Sequence, residues 1–314
     1  MFISIIIPTY NGEKKILNAL RSLEMQTFKD FEVVVVVDGS KDNTKKVLEE
    51  NNFNFKSLKI VYQANKGRAG ARNTGAKQAS YDLLAFFDDD MRLEADALQK
   101  HYDFHRKCPN AWLMGNAIEE ENLMKTDIQR YRVFLSKKWT KPFENKNEPL
   151  SERNFFLMAA HLSLPKDSFF QLGGFDEALT DAEDYDLGKR AIEQGIQIYF
   201  NPEIIAWHDD FITCQSYIKR QQQYQKAHQK LKELYPKRYA YSQYAYKPAK
   251  GIKKLIYWFF SGNFWVNVVD RFNFLRLLPR KLRYKIYDII IMANAVHFPL
   301  RNKKGKAEPT SLRP

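Results

Sequence analysis

Three carboxylates stand side by side at Asp88-Asp89-Asp90, directly after the apolar run Leu83-Leu84-Ala85-Phe86-Phe87. Adjacent like charges repel unless water, basic side chains or a cation screen them, and a hard divalent cation bridging carboxylates to a diphosphate does so well. Alone, the triplet is equally consistent with a solvated strand end. A second acidic pair, Glu183-Asp184, opens a run of helical period, where acids also serve to complement the helix dipole. Arg72 follows the close glycines Gly67 and Gly70, and a guanidinium in such a loop can pair with phosphate, stack on a base or stay solvated. His208 follows the apolar Ile204–Trp207 and precedes Asp209 and Asp210, which can orient its ring.

The elements that must hold these residues alternate between short apolar runs and helical-period segments, the pattern of a parallel sheet covered by helices. Strands are expected at Ile3–Ile7, Phe31–Val37, Leu58–Tyr62 and Leu83–Phe87, with a helix over Lys14–Gln26 carrying Ile16, Leu20 and Leu23 at helical spacing. Three of the strands end in Thr9-Tyr10-Asn11-Gly12, Asp38-Gly39-Ser40 and Asp88-Asp89-Asp90. Ligands of open α/β sheets bind beyond the carboxyl ends of the strands, so these clusters should converge on one crevice. Asn11 can also cap a helix, as can Asp38 for the helix near Asp42. After residue 110 the pattern loosens. Phe155–Leu164 is a further strand candidate, Asp184–Gln194 reads as a helix stopped at Gly195, and Ile196–Phe200 and Ile204–Trp207 read as two short strands.

The chain of 314 residues carries a formal charge of +13, unevenly spread. Residues 1–215 hold 28 basic and 33 acidic side chains, whereas residues 216–314 hold 22 and 4, which places a boundary near 215. The basic part reads as helices over Tyr217–Leu234, Ile252–Leu278 and Tyr284–Phe298, with a tail from about residue 302 that composition marks as disordered. None of its stretches reaches the roughly 18 uninterrupted apolar residues of a spanning helix. The apolar start, Met1–Pro8, is short, lacks a basic flank and reads as a buried strand rather than a signal peptide. Two distant cysteines, Cys108 and Cys214, require no oxidising compartment, so a cytoplasmic setting is the expectation.

Six motifs in order connect these readings: Ile7-Pro8-Thr9-Tyr10-Asn11; Val37-Asp38-Gly39-Ser40 with Asp42-Asn43-Thr44; Asn65-Lys66-Gly67 with Ala71-Arg72-Asn73-Thr74-Gly75; Phe87-Asp88-Asp89-Asp90; Gly173-Gly174-Phe175-Asp176-Glu177; and Glu183-Asp184-Tyr185-Asp186-Leu187. Over roughly residues 3–210 the chain thereby resembles the inverting family 2 glycosyltransferases of bacterial cell-surface saccharide synthesis. The resemblance implies the α/β GT-A fold, a Rossmann-like, mostly parallel sheet flanked by helices, here as residues 1–215 followed by a basic helical extension at 216–314. It implies donor contacts at Pro8, Thr9, Tyr10, Asn11, Asp38, Arg72, Asp88 and Asp89. The family usually has two acidic or amide positions before Gly-Ser, and this chain has Val37-Asp38 there. Asp90, with Asp88 and with His208 as some members use it, is implied as ligand of Mn²⁺ or Mg²⁺. Gly174, Phe175 and Asp176 are implied on the acceptor side, with Asp184 as the base and Glu183 in reserve.

The reaction so implied is metal-dependent transfer of a sugar from a nucleotide-sugar donor, a UDP-sugar favoured, to a saccharide or lipid-linked saccharide with inversion at the anomeric carbon. Residues 250–300, with Trp258, Phe259, Phe260, Phe264 and Trp265 among lysines and arginines, are expected to lie on an anionic membrane at its inner face, or else to pack internally. Two rival readings are a nucleotidyltransferase acting on sugar phosphates and a nucleic-acid-binding protein. The first lacks a glycine- and lysine-rich triphosphate loop near strand one, and the second leaves the acidic strand end unexplained, so no nucleic-acid partner is expected.

Overall fold

A computed structural model describes residues 2–144, 148–152, 154–239, 248–272 and 274–299. The chain divides into two compact units, residues 1–120 with 135–210, and residues 121–134 with 211–314.

The first unit is built on an eight-stranded sheet. In chain order its elements are β1 (Ile3–Thr9), α1 (Ile16–Glu24), β2 (Phe31–Asp38), α2 (Thr44–Glu50), β3 (Leu58–Gln63), α3 (Gly67–Gln78), β4 (Leu83–Phe87), β5 (Met91–Leu93), α4 (Ala97–Lys107) and β6 (Trp112–Ile118). Then come α5 (Asp127–Thr140), β7 (His161–Pro165), α6 (Lys166–Gln171), α7 (Glu183–Glu193) and β8 (Ile198–His208). Strand order is β3-β2-β1-β4-β7-β6-β8-β5. The first four strands in that order run parallel, as expected. Beyond β4 the sheet is mixed, because β7 pairs antiparallel with both β4 and β6, and β5 antiparallel with β8.

Both faces of the central strands are covered. Ile3, Ile5 and Ile7 of β1 and Val33, Val35 and Val37 of β2 pack with Ile16, Leu20 and Leu23 of α1, while Ile6 faces the opposite layer with Leu84, Phe86, Leu162 and Leu164. Burial on both faces explains why these strands read as continuous apolar runs rather than alternating ones. Helix α3 lies close to the sheet because its inward residues are small: a Cβ on Gly75 would stand 2.4 Å from Ile6 Cγ2. The two expected strands 196–200 and 204–207 form one strand, β8, whose register against β6 jumps between Gly115↔Asn201 and Asn116↔Ile205. Pro202 falls in this bulge, where a missing N–H costs no ladder bond.

A polar cluster is sealed in the core. The Ser163 hydroxyl lies 2.7 Å from both His101 Nδ1 and His105 Nε2, and His101 Nε2 lies 3.0 Å from His161 Nε2. Burial holds the three imidazoles neutral, with His105 lowered to about 4 and His161 to about 3.

The second unit contains the first turns of α5 with α8 (Cys214–Leu234), α9 (Gly251–Phe259), α10 (Asn263–Asn267) and α11 (Arg280–Met292). Tyr131 stacks edge-on against Tyr284 and Tyr287 and bonds Asp288, while Asp127 accepts the Tyr287 hydroxyl at 2.9 Å and pairs with Arg283. Asp270 receives the N–H groups of Cys214 and Gln215 at 2.6 and 3.1 Å, satisfying the start of α8. In contrast, α9 buries none of its side chains. The tail expected from about residue 302 lies outside the described residues.

Candidate active site

Because β2, β1 and β4 are parallel neighbours, their carboxyl ends share one edge of the sheet. Thr9 Oγ1 donates to Asp89 Oδ2 at 2.6 Å across that edge. Asn11, in the left-handed region at φ 51°, accepts the Lys41 N–H at 2.8 Å and takes the Ser40 hydroxyl oxygen on its own N–H at 3.0 Å, tying the turn after β1 to the turn after β2. Pro8 is half-buried and Tyr10 exposed beside it.

Asp38 is buried and engaged by backbone. Its carboxylate accepts Gln63 Nε2 at 2.7 Å, Lys66 N at 2.8 Å and Gly67 N at 2.9 Å, so it anchors the entry to α3. The alternative of a cap for the helix near residue 42 does not match these partners; at that helix the start residue Asn43 makes no cap bond, and Asp42 before it accepts Thr44 N at 3.1 Å.

Arg72, read as a possible phosphate partner, is only 3% exposed. Its Nη1 donates to Glu183 Oε1 at 2.6 Å and its Nη2 to Asp88 Oδ1 at 2.7 Å, while the guanidinium lies 5.5 Å from the Phe175 ring centroid. Burial alone would favour losing the proton, but Asp88, Glu183 and Asp184 outweigh it and the charge is secured. The arginine therefore joins the acidic end of β4 to the first turn of α7. Its ε-nitrogen is buried without a hydrogen-bond partner.

The three strand-end acids differ in state. Asp89 is pushed up to about 6 by burial and by Asp90, against the Thr9 hydroxyl. Asp90 is also buried, which raises it, but His208 and Lys15 prevail and hold it well below the usual carboxylate range. Lys15 Nζ stands 3.2 Å from Asp90 Oδ2 and 4.0 Å from Asp89 Oδ1. On the other side His208 Nε2 is 3.5 Å from Asp90 Oδ1, an oxygen buried with no hydrogen-bond partner. Burial lowers His208, yet Asp90 lifts it above its ordinary value. Asp209, the neighbour expected to orient the imidazole, is instead held by Arg92 Nε at 2.8 Å.

Asp184 is half-buried beside Glu183, and burial with Glu183 raises it to about 7 despite Arg72. That is a carboxylate poised to take a proton near neutrality. The turn before α7 is fixed by Asn73, which receives Phe175 N at 2.9 Å and donates to Phe175 O at 2.8 Å and Glu177 Oε1 at 2.9 Å. Gly174 has φ +72°, and a Cβ there would meet Asn73 Oδ1 at 2.8 Å, so glycine is required. Phe175 itself is buried against Phe86 and Phe169, whereas Asp176 accepts Ala178 N at 2.9 Å at the surface end of the turn. Two contributors escaped the sequence reading, Lys15 and Asn73. Asn73 lies inside a quoted motif, and Lys15 follows the Asn11-Gly12 turn by three residues, the only signals either offers.

The fold so described is the α/β GT-A type. A solved structure of this type, the mannosyltransferase PcManGT from Pyrobaculum calidifontis in complex with GDP-Man and Mn²⁺, superposes with a TM-score of 0.59 at 14% identity, covering 93% of this chain and 86% of that one. The family model for glycosyl transferase family 2 matches residues 4–169, and the chain belongs to that family. The uncharacterised glycosyltransferase YfnE of Bacillus subtilis is 28% identical over 252 residues, 66% of this chain and 64% of that protein. The UDP-Glc:alpha-D-GlcNAc-diphosphoundecaprenol beta-1,3-glucosyltransferase WfgD of Escherichia coli is 39% identical over 115 residues, 36% of this chain and 45% of WfgD. The chain thus spans less than two thirds of the length of these relatives. Family membership favours neither the nucleotidyltransferase nor the nucleic-acid reading.

Proposed function

We propose that the protein is an inverting glycosyltransferase that moves a sugar from a UDP-sugar to a saccharide or lipid-linked saccharide acceptor in the synthesis of a cell-surface polysaccharide. The observation that carries this reading is the Asp88–Arg72–Glu183 chain, buried at Arg72 and Glu183, which couples the donor-side acids to the helix turn bearing Asp184. In this reading Asp184 removes the acceptor hydroxyl's proton as that oxygen attacks the anomeric carbon, and Glu183 is occupied in holding Arg72. Thr9, Tyr10, Asn11, Pro8, Asp38, Asp88 and Asp89 bound the donor crevice, several of them by shaping its loops. Gly174 and Asp176 lie toward the acceptor, with Phe175 as their buried support.

The residues at the strand end fit a hard divalent cation. Asp90 offers a buried oxygen without a hydrogen-bond partner, and His208 faces the same oxygen. No group of three His, Cys, Asp or Glu side chains among the described residues is gathered to hold an ion. Asp90 and His208, with Asp88 near, would therefore hold Mn²⁺ or Mg²⁺ together with donor phosphate and water. Bound there, the ion supplies positive charge against the departing nucleoside diphosphate. The PcManGT complex with Mn²⁺ and the UDP-Glc donor in the name of WfgD support these assignments. Thermal unfolding with UDP tests the site: Mn²⁺ should enhance UDP stabilisation of the full chain, and Asp90→Ala should abolish the enhancement. An unchanged enhancement in the variant would remove Asp90 from the metal site.

We further propose that residues 1–215 form the catalytic domain and that the basic region rests on the anionic inner face of the cell membrane. Within 248–299 the two acids, Asp270 and Asp288, are spent on Cys214, Gln215 and Tyr131, leaving Lys and Arg around exposed Ile252, Leu255, Trp258, Phe264 and Leu277. No helix of the described residues is long and apolar enough to cross a membrane, so the association is read as peripheral.

A further inference from the structure

Lys15 sits just before α1, its N–H bonded to Gly12 O at 2.9 Å, so its stem starts from a fixed turn beyond the carboxyl end of β1. From there the ammonium reaches Asp90 at 3.2 Å and Asp89 at 4.0 Å. With His208 on the other side of Asp90 it offsets two adjacent carboxylates, and unlike His208 it is half-exposed, so it can turn into solvent without disturbing the core. The opposite oxygen of Asp90 carries no hydrogen bond. Such an arrangement neutralises part of the acidic end with a charge that can be exchanged.

We propose that Lys15 is the resident counter-cation of the Asp89–Asp90 pair and that a divalent ion must displace it, so that this lysine sets how weakly metal binds before donor arrives. The inference rests on the metal-dependent reading above. Coulomb repulsion between an ammonium and a doubly charged ion a few ångströms apart disfavours joint occupancy, and solvent screening of a half-exposed side chain keeps the effect moderate. Once displaced, the ammonium has a diphosphate as its natural partner, which links metal entry to donor entry.

The experiment is a Mn²⁺ titration of the purified full chain without nucleotide, free Mn²⁺ being read by electron paramagnetic resonance, for wild type, Lys15→Met, Lys15→Arg and Asp90→Ala. Lys15→Met should bind Mn²⁺ about tenfold more tightly, the size expected for removing one screened charge, and Lys15→Arg should match wild type. A lysine with a merely structural part would give equal or weaker binding in Lys15→Met, and that result overturns the proposal. Absence of binding in every variant would overturn both this inference and the metal site itself, whereas binding that Asp90→Ala removes but Lys15→Met leaves unchanged would overturn this inference alone.

Discussion

Asp184 and Arg72 show how neighbours decide what a residue can do. Asp184, raised to about 7 by burial and Glu183, must be unprotonated to act as a base, so transfer should fall as pH drops through about 7 and level off above it. A kcat profile over pH with the donor saturating checks this, and a profile flat down to pH 5 would sink the assignment. Asp184→Asn should keep UDP binding and lose transfer by about a thousandfold, within the usual range for a positioned base. Arg72→Ala removes the only bridge between Asp88 and Glu183 seen among the described residues and leaves Glu183 buried without it. Stability should drop by about 3–5 kcal/mol in urea unfolding, the cost of breaking a buried ion pair from one side. Arg72→Lys should not restore it, because one ammonium cannot make two divergent bonds. Little of this was legible beforehand, since 16 and 111 residues separate Arg72 from its partners.

At the level of elements, legibility followed burial. Strands β1, β2 and β4 are covered on both faces and announce themselves as apolar runs. Strand β5 has only three residues, and α4 turns His101 and His105 inward with Ala97 and Leu98, so its buried face is half polar and does not read as an apolar stripe. The merged β8 was read as two strands because Asn201-Pro202 interrupts it, a break that the bulge absorbs. In helix α3 one glycine, Gly75, meets the sheet at Ile6 and Val36, whereas Gly70 lies against Lys66. Gly75→Ala should cost about 1–3 kcal/mol by forcing a methyl against Ile6, measurable as a lowered urea midpoint. The sealed imidazoles on α4 and β7 give a different prediction. In ¹⁵N-resolved imidazole spectra His101, His105 and His161 should stay neutral from pH 8 to about 5, while His208 charges above its ordinary value. Titration of His161 near 6.5 would mean the cluster is open to water.

For the whole molecule, the uneven charge was plain in the sequence, whereas the division of the chain was not: residues 121–134 group with residues from 211 onward. If the basic region docks on membranes, Leu255→Ser with Phe264→Ser in the full chain should lower partitioning onto phosphatidylserine vesicles by more than tenfold, since each exposed side chain of this size is worth roughly 1.5–3 kcal/mol when buried. Equal sedimentation would move the basic surface to another partner, and salt-sensitive RNA retention would name nucleic acid.

The discontinuous second unit also sets a timetable for synthesis. Tyr131 and Asp127 leave the ribosome long before Tyr284, Tyr287, Arg283 and Asp288, the residues that cover them. At roughly 5–20 residues per second, the segment waits many seconds for its partners, with an aromatic ring and a carboxylate meanwhile open to solvent or to a chaperone. A nascent chain halted near residue 210 would display that unfinished surface.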